Sequence, residues 1–86
     1  MGYTVQLTKR AAKGALLLPR TYKELLKQLI EELKKDPLPK NFDIKKLKGY
    51  RSTYRVRLGS YRVIYVVDEK NKVITLTYVG PRGEAY

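Results

Sequence analysis

Thr53-Tyr54-Arg55-Val56-Arg57-Leu58-Gly59-Ser60-Tyr61-Arg62-Val63-Ile64-Tyr65-Val66-Val67 is the stretch on which the fold turns. Two runs of alternating side chains flank a Gly-X pair, the pattern of strands joined by a two-residue hairpin turn. With Gly59-Ser60 as the turn, the antiparallel register sets Leu58 against Tyr61, Arg57 against Arg62, Val56 against Val63 and Arg55 against Ile64. One face then carries Tyr54, Val56, Leu58, Tyr61, Val63, Tyr65 and Val67, an apolar surface suited to a layer of helices. The other face shows Arg55, Arg57 and Arg62. Like charges directly opposite across strands destabilise a sheet. The Arg57/Arg62 pair is therefore read as an anion site, and arginine's planar fork suits phosphate oxygens.

Upstream, Tyr3, Val5 and Leu7 alternate with Thr4, Gln6 and Thr8, which predicts a strand over residues 2–7. Thr8 is placed to cap a short helix over residues 9–17, with Pro19 beyond its end and Gly14 an unfavourable residue inside it. Tyr22, Leu25, Leu26, Leu29, Ile30 and Leu33 recur at spacings of three and four, predicting a helix over residues 21–35. Thr21 with Glu24 reads as its capping box, and Asp36-Pro37-Leu38-Pro39 stops it. The short Leu18-Pro19-Arg20 link favours an antiparallel helical hairpin lying on the sheet. A basic connection leads to the strands at 53–58 and 61–67, and Val73–Val79 reads as a last strand broken by Gly80-Pro81. The expected fold is α+β, one domain over residues 1–86 in the order strand, helix, helix, strand, strand, strand, with the hairpin on one face of a mainly antiparallel sheet.

The chain of 86 residues has 43% hydrophobic and 31% charged residues, enough apolar material for a core and too much for a disordered tail. Zero cysteines and zero histidines exclude disulfides, thiolate chemistry, imidazole catalysis and ordinary structural zinc. No apolar run has the length of a membrane span and the N-terminus has no leader pattern, so a cytoplasmic address without a membrane partner is expected. The 19 basic against 8 acidic residues, a formal charge of +11, point to a polyanion as the first partner to consider. From Lys40 to Arg62 the basic residues are Lys40, Lys45, Lys46, Lys48, Arg51, Arg55, Arg57 and Arg62, against the one acid Asp43. Arg82 lies within reach of the same face, and Tyr50, Tyr78 and Tyr86 offer rings for base stacking.

Lys46-Leu47-Lys48-Gly49 leading into Tyr54-Arg55-Val56-Arg57-Leu58, the Gly59-to-Tyr65 run, and Val79-Gly80-Pro81-Arg82 ending in Glu84-Ala85-Tyr86 resemble the RelE/ParE superfamily of toxins from toxin–antitoxin pairs. The resemblance implies a toxin silenced by a cognate antitoxin protein. In the RelE branch that toxin is a ribosome-dependent mRNA endonuclease; in the ParE branch it poisons DNA gyrase without cutting RNA. The RelE branch's functional positions fall on Arg55, Arg57, Arg62, Arg82 and Tyr86, and they favour that branch; two strand positions are arginine where well-known members have lysine.

Without metal, cofactor or histidine, RNA cleavage most simply uses the substrate's 2′-hydroxyl as nucleophile and leaves a 2′,3′-cyclic phosphate. Arg57 and Arg62 suit the phosphorane charge, Arg82 the leaving group, and Tyr86 the base, since nearby cations lower a phenol from its ordinary value of about 10. Lys46, Lys48, Arg51 and Arg55 are the expected substrate-binding residues; the two lysines are also alternatives for the base. The competing functions are a gyrase inhibitor of ParE type and an RNA-binding module that changes nothing it binds.

Overall fold

The computed structural model describes residues 2–81. Its elements are β1 (Thr4–Leu7), α1 (Lys9–Leu16), α2 (Arg20–Leu33), β2 (Asp43–Lys46), β3 (Thr53–Leu58), β4 (Tyr61–Asp68) and β5 (Val73–Pro81). The α+β class and the element order hold, with one strand more than expected. The five-stranded sheet runs β1-β5-β4-β3-β2; β1 lies parallel to β5 and the other neighbours are antiparallel. No helix among the described residues is long and apolar enough to cross a membrane.

The additional strand, β2, lies inside the basic connection. Its residues Asp43-Ile44-Lys45-Lys46 offer one apolar side chain and three poor strand formers, so local propensity is silent. It forms because β3 presents an open edge, and its charged composition suits an edge strand. The start of α2 also differs from the expected capping box. Pro19 takes the cap position and no side chain caps the helix, while Thr21 lies within the first turn; proline's fixed φ suits helix entry. At α1 the Thr8 hydroxyl does accept from the Ala11 amide, at 3.1 Å. Gly80-Pro81 extends β5 instead of breaking it, because proline closes the strand where its missing N–H costs nothing.

The β3–β4 register is the expected one, pair for pair from Leu58↔Tyr61 to Arg55↔Ile64. Gly59 has φ +61° and Ser60 does not share that sign, as in the primed turn that puts glycine first. A Cβ on Gly59 would also meet the Tyr22 ring, and Tyr22 packs on Tyr61 with centroids 4.7 Å apart. The hairpin tip is thus held by α2. On the helical side, Leu26, Leu29 and Leu33 close over Val56, Leu58, Val63, Tyr65, Ile74 and Leu76. Each fully buried aliphatic side chain there contributes about 1.5–3 kcal/mol.

A register shift at Ile64/Tyr65 pairs Ile64 with Tyr78 but Tyr65 with Leu76, leaving Thr77 as an extra residue in β5. This bulge lets Leu76 face the core while Tyr78, two residues on, faces the other way.

Two tests follow from the packing. Helix propensity alone favours Gly14→Ala by about 1 kcal/mol, but a Cβ at Gly14 would overlap the Val79 carbonyl oxygen where α1 meets β5. We expect Gly14→Ala to destabilise by about 2 kcal/mol or more in urea unfolding. Tyr65 is fully buried, its hydroxyl donates to the Pro37 carbonyl at 2.6 Å, and burial pushes its phenol above the ordinary tyrosine range. A raised folded-state value means this group's contribution is intact below about pH 10 and is lost as the pH rises further. Tyr65→Phe is expected to cost about 1 kcal/mol at neutral pH and to flatten the fall of stability above pH 10, both measurable by denaturation across pH.

Candidate functional site

The pleat and the register place one set of side chains on the face opposite the helices. Across the sheet, one row reads Asp43, Arg57, Arg62, Gly80, and the next reads Lys45, Arg55, Ile64, Tyr78. Ile64 and Tyr78 are buried at 4% and 7% exposure, so the cations stand around an apolar floor. The Tyr78 ring lies along β5 over Gly80, where any Cβ would strike it, and its hydroxyl donates to the Pro81 carbonyl at 3.2 Å.

Arg57, Gly59, Ser60 and Arg62 line a cleft of about 150 Å³ at the hairpin tip. The two guanidinium-bearing residues are direct cross-strand partners. Arg57 Nε lies 3.4 Å from the Asp43 carboxylate, and both side chains are about half exposed, at 51% and 52%. A pair so exposed is worth about 0–1 kcal/mol, which leaves Arg57 exchangeable toward an incoming anion. Among the described residues Arg62 has no ion pair. The sequence therefore places the pair correctly, while the sharing of Arg57 with Asp43 is visible only once β2 is seen. Arg55 sits between Lys45 and Ile64, and its Nε is buried with no hydrogen-bond partner among the described residues. A buried unpaired donor costs about 1–3 kcal/mol, and an acceptor reaching this face would recover it.

The remaining expected residues do not all join this face. Lys46 pairs with Tyr54 and so belongs to the helix side of the sheet, whereas Lys45, its neighbour, stands on the arginine face. Sequence reasoning does not place Lys45 beside Arg55, since nothing in the local pattern identifies β2 as a strand. Lys48 and Arg51 are exposed in the β2–β3 connection, where Gly49 at φ +83° and Ser52 at φ +50° tighten the loop. Lys46, Lys48 and Tyr50 line an open groove of about 530 Å³ there. Arg82 and Tyr86 lie outside the described residues.

Compared with known proteins, residues 5–86 match a family model described as the ParE toxin of type II toxin–antitoxin system, parDE. The chain is 42% identical over 87 residues to the putative toxin RelE1 of Methanocaldococcus jannaschii, covering 100% of this chain and 97% of that one. It is 31% identical over 84 residues to the mRNA interferase toxin RelE of Escherichia coli, covering 95% and 85%. In structure it is similar to RelE in the archaeal RelE–RelB complex of Pyrococcus horikoshii, at TM-score 0.85 and 39% identity over 99% of this chain and 100% of that one. The intact E. coli RelBE toxin–antitoxin complex gives TM-score 0.80 at 28% identity, over 95% and 99%. The family match spans nearly the whole length and the named relatives are RelE proteins: this chain belongs to the RelE/ParE superfamily of type II toxin–antitoxin toxins.

Proposed function

We propose that the protein is a cytoplasmic, metal-independent endoribonuclease that cuts messenger RNA on the ribosome and is silenced by a cognate antitoxin. The observation that carries this is the cleft between Arg57 and Arg62, two cations opposed across a hairpin and only partly offset by one half-exposed carboxylate. Relatives named mRNA interferase supply the substrate class, and the RelE–RelB complexes among similar structures supply the class of partner. A net charge of +11 suits both RNA and an acidic antitoxin segment.

In this mechanism the substrate's 2′-oxygen attacks the adjacent phosphorus and the bond from phosphorus to the 5′-oxygen breaks. The products are a 2′,3′-cyclic phosphate and a free 5′-hydroxyl. Arg57 and Arg62 hold the nonbridging oxygens and meet the charge that builds in the phosphorane. Tyr86, as its phenolate, takes the 2′-proton and becomes the phenol, and Arg82 steadies the departing 5′-oxygen, which is protonated from water. Arg55 and Lys45 hold the flanking backbone, with Lys46, Lys48 and Arg51 as outlying contacts of the same strand of RNA. A guanidinium does not serve as the base, so the reaction depends on orientation supplied by the ribosome, an effect worth up to about 7–11 kcal/mol in intramolecular reactions.

The match to the ParE description favours a second function, gyrase inhibition without RNA cleavage. Programmed ribosomes treated with purified protein separate the two. Expected are cut message with cyclic phosphate ends, a loss of about 10²–10³-fold in kcat/KM for Arg62→Ala, and partial recovery in Arg62→Lys, which keeps the charge and loses the fork. Intact message together with inhibited supercoiling at stoichiometric protein rejects the nuclease in favour of the ParE function.

Asp43→Asn offers an independent check on the cleft. With Arg57 released from its carboxylate, binding of single-stranded RNA is expected to tighten, while stability shifts by no more than about 1 kcal/mol. Weaker binding in this variant would show that Asp43 supports the cleft instead of competing with the anion.

A further inference from the structure

The basic face does not end at β5. Arg10 projects from the first turn of α1, and its guanidinium carbon lies 4.9 Å from the centroid of the Tyr78 ring. Arg10 is exposed and, among the described residues, has no ion pair. Tyr78 is the cross-strand partner of Ile64, and Ile64 is that of Arg55, so this ring belongs to the arginine face. The same ring extends over Gly80, the partner of Arg62. Arg10 and Arg62 therefore flank one largely buried aromatic ring on β5, with the neighbouring strand β4 about 4.8 Å away.

A cation over an aromatic face is held by about 0.5–1 kcal/mol at an exposed site. That contact fixes the plane of the guanidinium without consuming its hydrogen-bond donors, which stay available to an anion. Thr8 anchors the start of the same helix to β5, its hydroxyl donating to the Thr77 carbonyl at 3.3 Å and its amide to the Leu76 carbonyl at 3.0 Å. The position of Arg10 is thus tied to the strand that carries Tyr78.

We propose that Arg10, seated on the Tyr78 ring, binds a second phosphate of a single-stranded RNA whose reacting phosphate occupies the Arg57/Arg62 cleft. The RNA then crosses the sheet from the hairpin tip toward α1, between the exposed cations that stand around the buried Ile64 and Tyr78. This assignment rests on the nuclease function proposed above for the substrate class. It makes Arg10 a substrate-binding residue with no part in the chemical step.

The test uses the whole protein and a fluorescein-labelled single-stranded RNA oligonucleotide, with anisotropy read across a salt series. Arg10→Ala is expected to lower the slope of log affinity against log salt by about 0.7, the loss of one phosphate contact on a single strand. On ribosome-bound message it is expected to raise KM about 5–10-fold with kcat within about twofold, the pattern of lost uniform binding. Arg10→Lys is expected to keep the slope and recover part of the affinity. Lys13→Ala removes one charge from the same helix and serves as the control; an effect equal to that of Arg10→Ala would reduce Arg10 to bulk charge and overturn the proposal. An unchanged slope in Arg10→Ala, or a fall in kcat at constant KM, overturns it as well. Thermal unfolding of each variant shows that the fold is retained. If the parent binds RNA with the Arg10→Ala deficit yet leaves message intact, the nuclease function fails and the Arg10 site stands; with cleavage and identical salt slopes, the nuclease stands and the Arg10 site fails.

Discussion

The pleat of the β3–β4 hairpin is the constraint on which the rest depends. Side chains on a strand alternate between faces, so burying Val56, Leu58, Val63 and Tyr65 under α2 leaves Arg55, Arg57 and Arg62 no place but the opposite face. A slip of β3 by one residue would bury Arg55 and Arg57 and expose Val56 and Leu58. The hydrophobic term thus holds the like charges together, since each of several buried side chains outweighs one exposed cross-strand repulsion. Gly59 and Tyr22 complete the constraint, because the turn that sets the register is also the point where α2 grips the hairpin.

Beyond the hairpin, the face is shaped by a single extra residue. Without the bulge at Thr77, Leu76 and Tyr78 would share a side, and one of them would leave the core or the arginine face. The hydroxyl of Thr77 donates to the Ile64 carbonyl at 3.3 Å, and its own carbonyl accepts from Thr8. A local irregularity in β5 is in this way joined to the cap of α1 and to the floor between the cations.

Elements with strong internal periodicity are legible in the sequence: α2 from its apolar spacing, and β3 with β4 from alternation around Gly59-Ser60. The same alternation is enough to bring Arg57 and Arg62 together. β2 is not legible, because Ile44 alone carries no period and the strand exists through pairing with β3. With β2 hidden, neither the Asp43 contact nor the assignment of Lys45 and Lys46 to opposite faces can be derived. Arg10 is hidden for a related reason. A helix pattern places it on a polar surface, and only the crossing of α1 over β5 shows which ring it meets. Gly14 illustrates a third kind of limit, since propensity scores it as a defect while the contact with Val79 requires it.

The carboxylate beside Arg57 bears on how such a cleft discriminates between ground and transition states. Two free arginines would bind a phosphodiester, with its one negative charge, tightly before any reaction. That binding lowers KM without accelerating the step. Asp43 offsets one of the two cations in the resting protein, and it does so at the surface, where the pair is weak. As the proposed attack proceeds, the phosphorane gathers more negative charge than the diester carried. Arg57 can then exchange its ion pair with Asp43 for phosphoryl oxygen at little cost. The stabilisation withheld from the bound substrate becomes available as charge develops, and it is this difference, not the total attraction for RNA, that raises a rate.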